Sequence, residues 1–233
     1  MSKSDTIINK LKNYITEKKT NLCFSADIDD PYKVIEILNQ IGNYIVICKI
    51  HFDIYKFTQK YTSEHFIHDL TCLSNDLKFM IMEDRKFFDI SYIVEKQFSF
   101  YKNWVDLVTV HGLVNDGVIK KIDAGVLLVA NMSNNNYDIT DNCLELCNNN
   151  DNIVGFITQK NIIYKNLLNF TPGISFEDKT IDDQKYRNIN NISNNDMPDI
   201  IIIGRAIYDS NNILETIQTI QTIQNINLQN IIT

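Results

Sequence analysis

The chain has 233 residues, enough for one domain with a sizeable core. A net charge of −7, without a run of five basic residues, argues against bulk binding to nucleic acid. There is no signal-peptide pattern and no apolar run of membrane-spanning length, and the five cysteines lack C-x-x-C spacing, so the expectation is a cytoplasmic protein with reduced thiols that binds no membrane.

In chain order, a helix is expected over about residues 4–18. Apolar strands are expected at Asn21–Asp27, Tyr44–His51, Lys78–Lys86, Trp104–His111, Ala124–Ser133, Asn152–Thr158, Asn169–Ile174 and Asp199–Gly204. Helical patterns lie between them, as at Pro31–Ile41, Glu64–Leu73 and Asp89–Tyr101. The asparagine clusters 134–136, 148–150 and 188–195 read as turns, where Asn tolerates left-handed backbone. The last segment repeats Ile-Gln-Thr at period three, and a closing helix is expected over about 211–229. Strands alternating with helices suggest an α/β fold. Either a single-domain (β/α)8 barrel over residues 1–233 or a doubly wound open sheet has this rhythm.

The run Glu83-Asp84-Arg85-Lys86-Phe87-Phe88-Asp89-Ile90 closes the third apolar strand. Alternation places Asp84 and Lys86 on one side, and Asp89 just beyond, so a lysine ammonium is expected between two carboxylates. Such an ammonium can deliver a proton to a carbon centre while the carboxylates press on an anionic group beside them. A solvated strand end with weak ion pairs has the same pattern. The second strand raises the functional reading, because Lys49, His51 and Asp53 share a face by the same rule.

These residues resemble the orotidine 5′-monophosphate decarboxylase family, in its eukaryotic, monofunctional form. Asn21–Asp27, Cys48–Ile54 and Glu83–Ile90 look like its first three strands. Ala130-Asn131-Met132-Ser133, Thr171-Pro172-Gly173, Gln184-Lys185-Tyr186 and Asp199–Arg205 follow in the family's order. The likeness spans roughly residues 20–209. It implies a (β/α)8 (TIM) barrel, and a cofactor-free, metal-free carbon–carbon lyase that converts orotidine 5′-monophosphate to UMP in pyrimidine synthesis. The chain is too short to carry in addition the phosphoribosyltransferase that accompanies this activity in bifunctional proteins.

The resemblance also implies roles. Lys86 would protonate C6, Asp84 would sit by the departing carboxylate, and Lys49 and Asp89 would complete a Lys-Asp-Lys-Asp array. Asp27 and Lys49 would meet the ribose, and Ser133 the pyrimidine edge. Gln184, Tyr186, Gly204 and Arg205 would hold the phosphate, beside Pro172. In barrels that site commonly lies where the loops after the last two strands meet a short helix. Asp89 and Ile90 would enter the neighbouring subunit's site, making the enzyme a homodimer with shared active sites. The chain departs from the family at Ser91-Tyr92-Ile93, where Gly-Asn-Thr is usual, and at Asn131, where a glutamate is usual. Lys185 replaces a second glutamine.

His65 and His68, three apart on a probable helix, form a weak metal pair against the reading of a solvated helix face. His51 is expected behind the site, and His111 at the end of the fourth strand. Two alternatives stay open: a magnesium-dependent sugar-phosphate decarboxylase or aldolase of the same superfamily, and a catalytically silent nucleotide-binding paralogue.

Overall fold

Short runs rich in Ile, Val and Phe, each too brief for a helix, form the strands of the computed structural model, which describes residues 2–132, 137–181, 184–192 and 197–224. The barrel strands are β1 (Leu22–Ser25), β2 (Ile47–Ile50), β3 (Met80–Phe87), β4 (Leu107–His111), β5 (Gly125–Val129), β6 (Ile153–Ile157) and β7 (Leu168–Thr171). Next come three short strands, β8 (Ile174–Ser175), β9 (Lys179–Ile181) and β10 (Gln184–Asn188), and then the last barrel strand, β11 (Ile200–Ile203). The barrel closes in the order β1-β11-β7-β6-β5-β4-β3-β2, with every pair parallel. The eight expected barrel strands are therefore present, as an eight-stranded closed barrel and not as an open sheet.

The helices are α1 (Lys3–Lys18), α2 (Pro31–Ile41), α3 (Ser63–Leu77), α4 (Ser91–Phe98), α5 (Asp116–Ile119), α6 (Thr140–Asn149), α7 (Arg205–Tyr208) and α8 (Ile213–Gln224). Their starts follow from local chemistry. Ser2 and Asp5 form a capping box on α1, and Asp30 accepts the Tyr32 and Lys33 N–H groups ahead of Pro31 on α2. In α3 the His65 ring accepts the Thr62 N–H, so this histidine caps its own helix. Among the described residues no group of three or more His, Cys, Asp or Glu is placed to hold a metal.

Two apolar layers result. Inward residues Cys23, Ile47, Met82, Leu127, Phe170 and Ile202 fill the barrel, and Ile8, Leu11 and Ile15 of α1 close its lower end. The outer layer packs Val34, Leu38, Phe66, Leu70 and Val94 of the helices on Phe24, Cys48, Ile81 and Val108 of the strands. Ile217 and Ile220 of α8 join it, so the period-three stripe does form a helix as far as Gln224. The expected continuation to 229 lies outside the described residues. No described helix is long and apolar enough to cross a membrane.

Three local expectations are corrected. Asn148 and Asn149 end α6, where Asn149 and Asn150 donate to Asp116 instead of making a turn. Tyr44 belongs to a 3-10 turn, so β2 starts only at Ile47. The seventh strand stops at Thr171, because Gly173 has φ 75°, a left-handed conformation that suits glycine. The chain then leaves the barrel as the small sheet β8-β10-β9, hooked back by the Arg187 N–H to the Gly173 carbonyl at 2.8 Å.

Candidate active site

The C-terminal ends of the strands surround a cavity of about 280 Å³. Asp27, Lys49, Asp84, Lys86, Pro172, Tyr186, Gly204 and Arg205 all line it, with Ser25, His51 and Met132. Of the expected residues, Ser133 lies outside the described residues. Gln184 is the first residue of β10, two before Tyr186.

Asp84 is the hub. Its Oδ1 accepts from the Thr109 hydroxyl at 2.8 Å and meets the Lys86 Nζ at 2.9 Å. Its Oδ2 meets the Lys49 Nζ at 3.2 Å and the His51 Nε2 at 3.3 Å. Lys49, only 4 % exposed, also reaches Asp27 at 2.9 Å, and the Ser25 hydroxyl donates to the other Asp27 oxygen at 2.8 Å. Burial alone would pull the Lys49 ammonium down, but Asp84 and Asp27 outweigh it and hold it above the usual lysine range. Burial alone would raise Asp84, yet Lys49, His51 and Lys86 keep it well below the ordinary carboxylate range. Asp27 is lowered too, its burial being outweighed by Lys49. The result is an ionised chain, Asp27–Lys49–Asp84–Lys86, in a half-closed cavity.

Simple strand alternation does not place Lys86. The β3–β4 register shifts between Glu83 and Phe87, and Lys86 has φ 51°, a left-handed conformation unusual for a side-chain-bearing residue. Its N–H is taken by the Thr109 hydroxyl at 2.9 Å in place of a ladder carbonyl. This bulge turns the ammonium onto Asp84.

Asp89 does not join the array of its own chain, contrary to the expected lysine between two carboxylates. Buried Phe87 returns to the outer layer, and residues 88–90 run over the rim. There Asp89 Oδ1 accepts the Ile90 N–H at 2.7 Å. Asp53 is also elsewhere: a 3-10 turn at Phe52–Ile54 breaks the alternation after His51, and Asp53 pairs with Arg85 at 3.1 Å on the surface. His51 itself stands in the site, 3.0 Å from Lys49, rather than behind it. His111 packs on Phe88 with ring centroids 4.7 Å apart, and burial lowers its basicity.

The other side of the cavity is held by backbone contacts. Gly204 lies where β11 meets β1, and a Cβ there would come within 2.9 Å of the Ser25 carbonyl. Arg205 begins α7 directly after it, and its cation opposes the rise that burial gives the Tyr208 hydroxyl pKa. The rim is tied by Asn131, which accepts the Gln159 N–H at 2.5 Å, and by the Gln159 amide, which donates to the Pro172 carbonyl at 2.9 Å. Ser25 and Thr109 had no signal in the sequence beyond facing inward on their strands, while His51 had one, its alternation with Lys49.

A closed parallel barrel with a charged cavity at the C-terminal ends of its strands is the architecture of a (β/α)8-barrel enzyme. The family follows from comparison. The chain belongs to the Orotidine 5'-phosphate decarboxylase / HUMPS family, whose model matches residues 20–220. It is 30% identical to an orotidine 5'-phosphate decarboxylase of Saccharomycopsis fibuligera, over 86% of this chain and 84% of that protein. It is 33% identical to a uridine 5'-monophosphate synthase of Bos taurus, over 88% of this chain but 46% of that longer protein. Solved structures share the fold. Orotidine 5'-phosphate decarboxylase from Pyrococcus horikoshii OT3 superposes with TM-score 0.68 at 18% identity, covering 87% of this chain and 98% of that one. The enzyme from Methanocaldococcus jannaschii complexed with inhibitor BMP gives TM-score 0.66 at 19% identity, covering 88% of this chain and 99% of that one.

Proposed function

We propose that the protein decarboxylates orotidine 5′-monophosphate to UMP without a metal or organic cofactor, as one barrel spanning residues 1–233. The observation that carries this reading is the saturation of Asp84. Both of its oxygens are occupied, by two ammonium groups, a hydroxyl and an imidazole. In the magnesium-dependent alternative, this carboxylate would ligate a dication. Two ammonium groups within 3.2 Å of it would repel such an ion.

In the proposed reaction the C6–carboxylate bond breaks and carbon dioxide leaves. The electron pair stays on C6, and the Lys86 ammonium donates a proton there. Lys86 then recovers a proton from solvent. Asp84 lies by the departing carboxylate and is fixed as an anion before substrate arrives, so the site is electrostatically preorganised. Lys49 carries positive charge between Asp27 and Asp84 and reaches the ribose, whose hydroxyls Asp27 accepts. Ser133 reads the pyrimidine edge. Arg205, the backbone at Gly204, Gln184 and Tyr186 grip the phosphate, with Pro172 shaping the cavity between the two ends of the substrate.

The reading includes a cytoplasmic homodimer in which Asp89 and Ile90 complete the partner's site. Two observations support the dimer: Asp89 is turned away from its own Lys86, and Phe88, Ile90, Tyr92 and Leu113 beside it are at least half exposed, an apolar area at the rim of the barrel. Cysteines that are all free support a reducing compartment.

The test is direct. Purified protein in EDTA is mixed with orotidine 5′-monophosphate, and the pyrimidine absorbance and released carbon dioxide are followed. Turnover unaffected by EDTA is the expected result. Activity lost in EDTA and restored by magnesium would favour the sugar-phosphate alternative.

A further inference from the structure

Glu83 precedes Asp84 on β3 but lies on the opposite face of the strand. Asp84 therefore points into the barrel mouth and Glu83 into the layer behind it. Glu83 is 0% exposed. Its Oε2 accepts the Phe52 N–H at 3.1 Å, and its Oε1 has no hydrogen-bond partner among the described residues. The surroundings are aromatic: the Phe52 ring lies 5.0 Å from Phe100, 5.5 Å from Trp104 and 6.3 Å from Tyr101. A carboxylate is a poor choice for such a place, because its charge loses hydration and gains one donor only. A local rule broken next to a charged site points to a use.

The bond that Glu83 does make shows what that use is. Phe52 is the residue after His51, and Ile50 lies opposite Glu83 in the β2–β3 register. The Glu83 carboxyl thus fixes the chain at the point where β2 ends and a 3-10 turn begins. The two residues that β2 sends to Asp84, Lys49 and His51, flank Ile50 immediately before that point. We propose that Glu83 is a positioning residue of this site, its carboxyl gripping the Phe52 amide so that Lys49 and His51 meet Asp84 in register. The proposal rests on the decarboxylase reading for its kinetic consequences.

The charge state follows from the surroundings. Burial pushes the Glu83 carboxyl up to about 8, with Asp53 and Asp84 adding to the rise and the Phe52 N–H and Lys49 opposing it. Tyr55 and Tyr101 also face it, and Arg85 is engaged by Asp53 at 3.1 Å. Ionisation of Glu83 would put a second negative charge behind Asp84 and draw on the field of Lys49, which the substrate needs. Activity should therefore fall as Glu83 loses its proton.

Two variants and one spectrum test this. Glu83→Met keeps the length of the side chain but removes both the acceptor and the orphaned oxygen. The expected result is a melting temperature equal to or above wild type, with kcat/KM at pH 7 lower by about tenfold or more. Glu83→Gln keeps an acceptor for Phe52 and cannot ionise. It should hold kcat/KM at pH 7 within about threefold of wild type and lose the part of the alkaline fall that Glu83 causes. In protein carrying carboxyl-labelled glutamate, one carbon resonance should titrate near pH 8 and be absent from Glu83→Gln. Wild-type kcat/KM in Glu83→Met would overturn the proposal, as would a loss of melting temperature in step with its loss of activity. A Glu83 resonance titrating in the ordinary carboxylate range would overturn it too. If wild-type protein fails to decarboxylate the substrate, the functional reading falls, and the titration still decides the state of Glu83.

Discussion

The Thr109 hydroxyl donates to Asp84 at 2.8 Å and accepts the N–H of Lys86 at 2.9 Å, so one side chain on β4 ties together the two charges that the proposed reaction uses. The bulge at Lys86 carries the cost of a left-handed residue, and Thr109 supplies the acceptor that the ladder no longer offers. Thr109→Val has almost the same shape and removes both bonds. It should lower kcat by about ten- to a hundredfold with a smaller change in KM, since Lys86 would lose its aim more than the substrate loses contacts. Urea unfolding should show a loss of about 1–3 kcal/mol, for a buried N–H left unpaired and a carboxylate deprived of a donor. Unchanged kcat in this variant would show that the bulge is held by the surrounding strands alone.

Arg205 follows Gly204 at the end of β11 and lines the same cavity as Lys86. If it grips phosphate, Arg205→Ala should weaken UMP by about tenfold or more and leave uridine nearly unchanged, because only the nucleotide carries the group. It should also slow turnover, since binding energy at a remote group can be used at the reacting centre. Calorimetry with both ligands separates the cases. Equal losses for UMP and uridine would place Arg205 outside the phosphate site.

Glu83 also makes a prediction about stability, independent of turnover. Its folded-state pKa, about 8, lies above the ordinary 4.5. A raised carboxyl stabilises the fold fully at pH values below the ordinary one, and this contribution is lost as pH rises through the folded value. Wild type should therefore weaken between about pH 5 and pH 8 relative to Glu83→Gln, by on the order of a few kcal/mol, and the gap should stay level above that. Asp84 and Asp27 have lowered values, so their contribution is present above the ordinary carboxylate pKa and is lost only in more acid solution. Urea titrations at pH 5.5 and pH 9 thus isolate Glu83. A gap that does not grow with pH would mean that this carboxyl is already ionised at pH 5.5.

The alternation of strands and helices was legible because the strands are short apolar runs between amphipathic segments, but that rhythm fits an open sheet as well, and the barrel was expected only from the family resemblance. Lys49, Asp84 and Lys86 were legible because their charges end such runs. Three other features were not. The bulge that aims Lys86 depends on a hydroxyl on the next strand, 23 residues away, and no local pattern encodes it. Alternation extended past His51 put Asp53 in the site, whereas a 3-10 turn sends it to Arg85. Proximity in sequence put Asp89 beside Lys86, whereas Phe87 turns into the outer layer and residues 88–90 leave over the rim. In each case the missing information is a tertiary contact or a turn that changes the period.

The position of Asp89 leads to a test of the proposed shared site. If Asp89 serves the partner's cavity while Lys86 serves its own, Lys86→Ala and Asp89→Ala homodimers should each be nearly inactive. Mixed under conditions that let subunits exchange, they form heterodimers. One site of each heterodimer then carries both lesions, and the other carries neither. With two-fold symmetry and random pairing, half of the dimers are mixed, so roughly a quarter of all sites are restored. The measurement is turnover of the co-refolded mixture against each variant alone, with heterodimers verified by differently tagged subunits. Recovery to about a quarter of wild-type activity is expected. Confirmed heterodimers with activity no higher than the single variants would mean that Asp89 acts within its own chain. The rim from Phe88 to Ile90 would then have to fold back toward Lys86 when substrate binds.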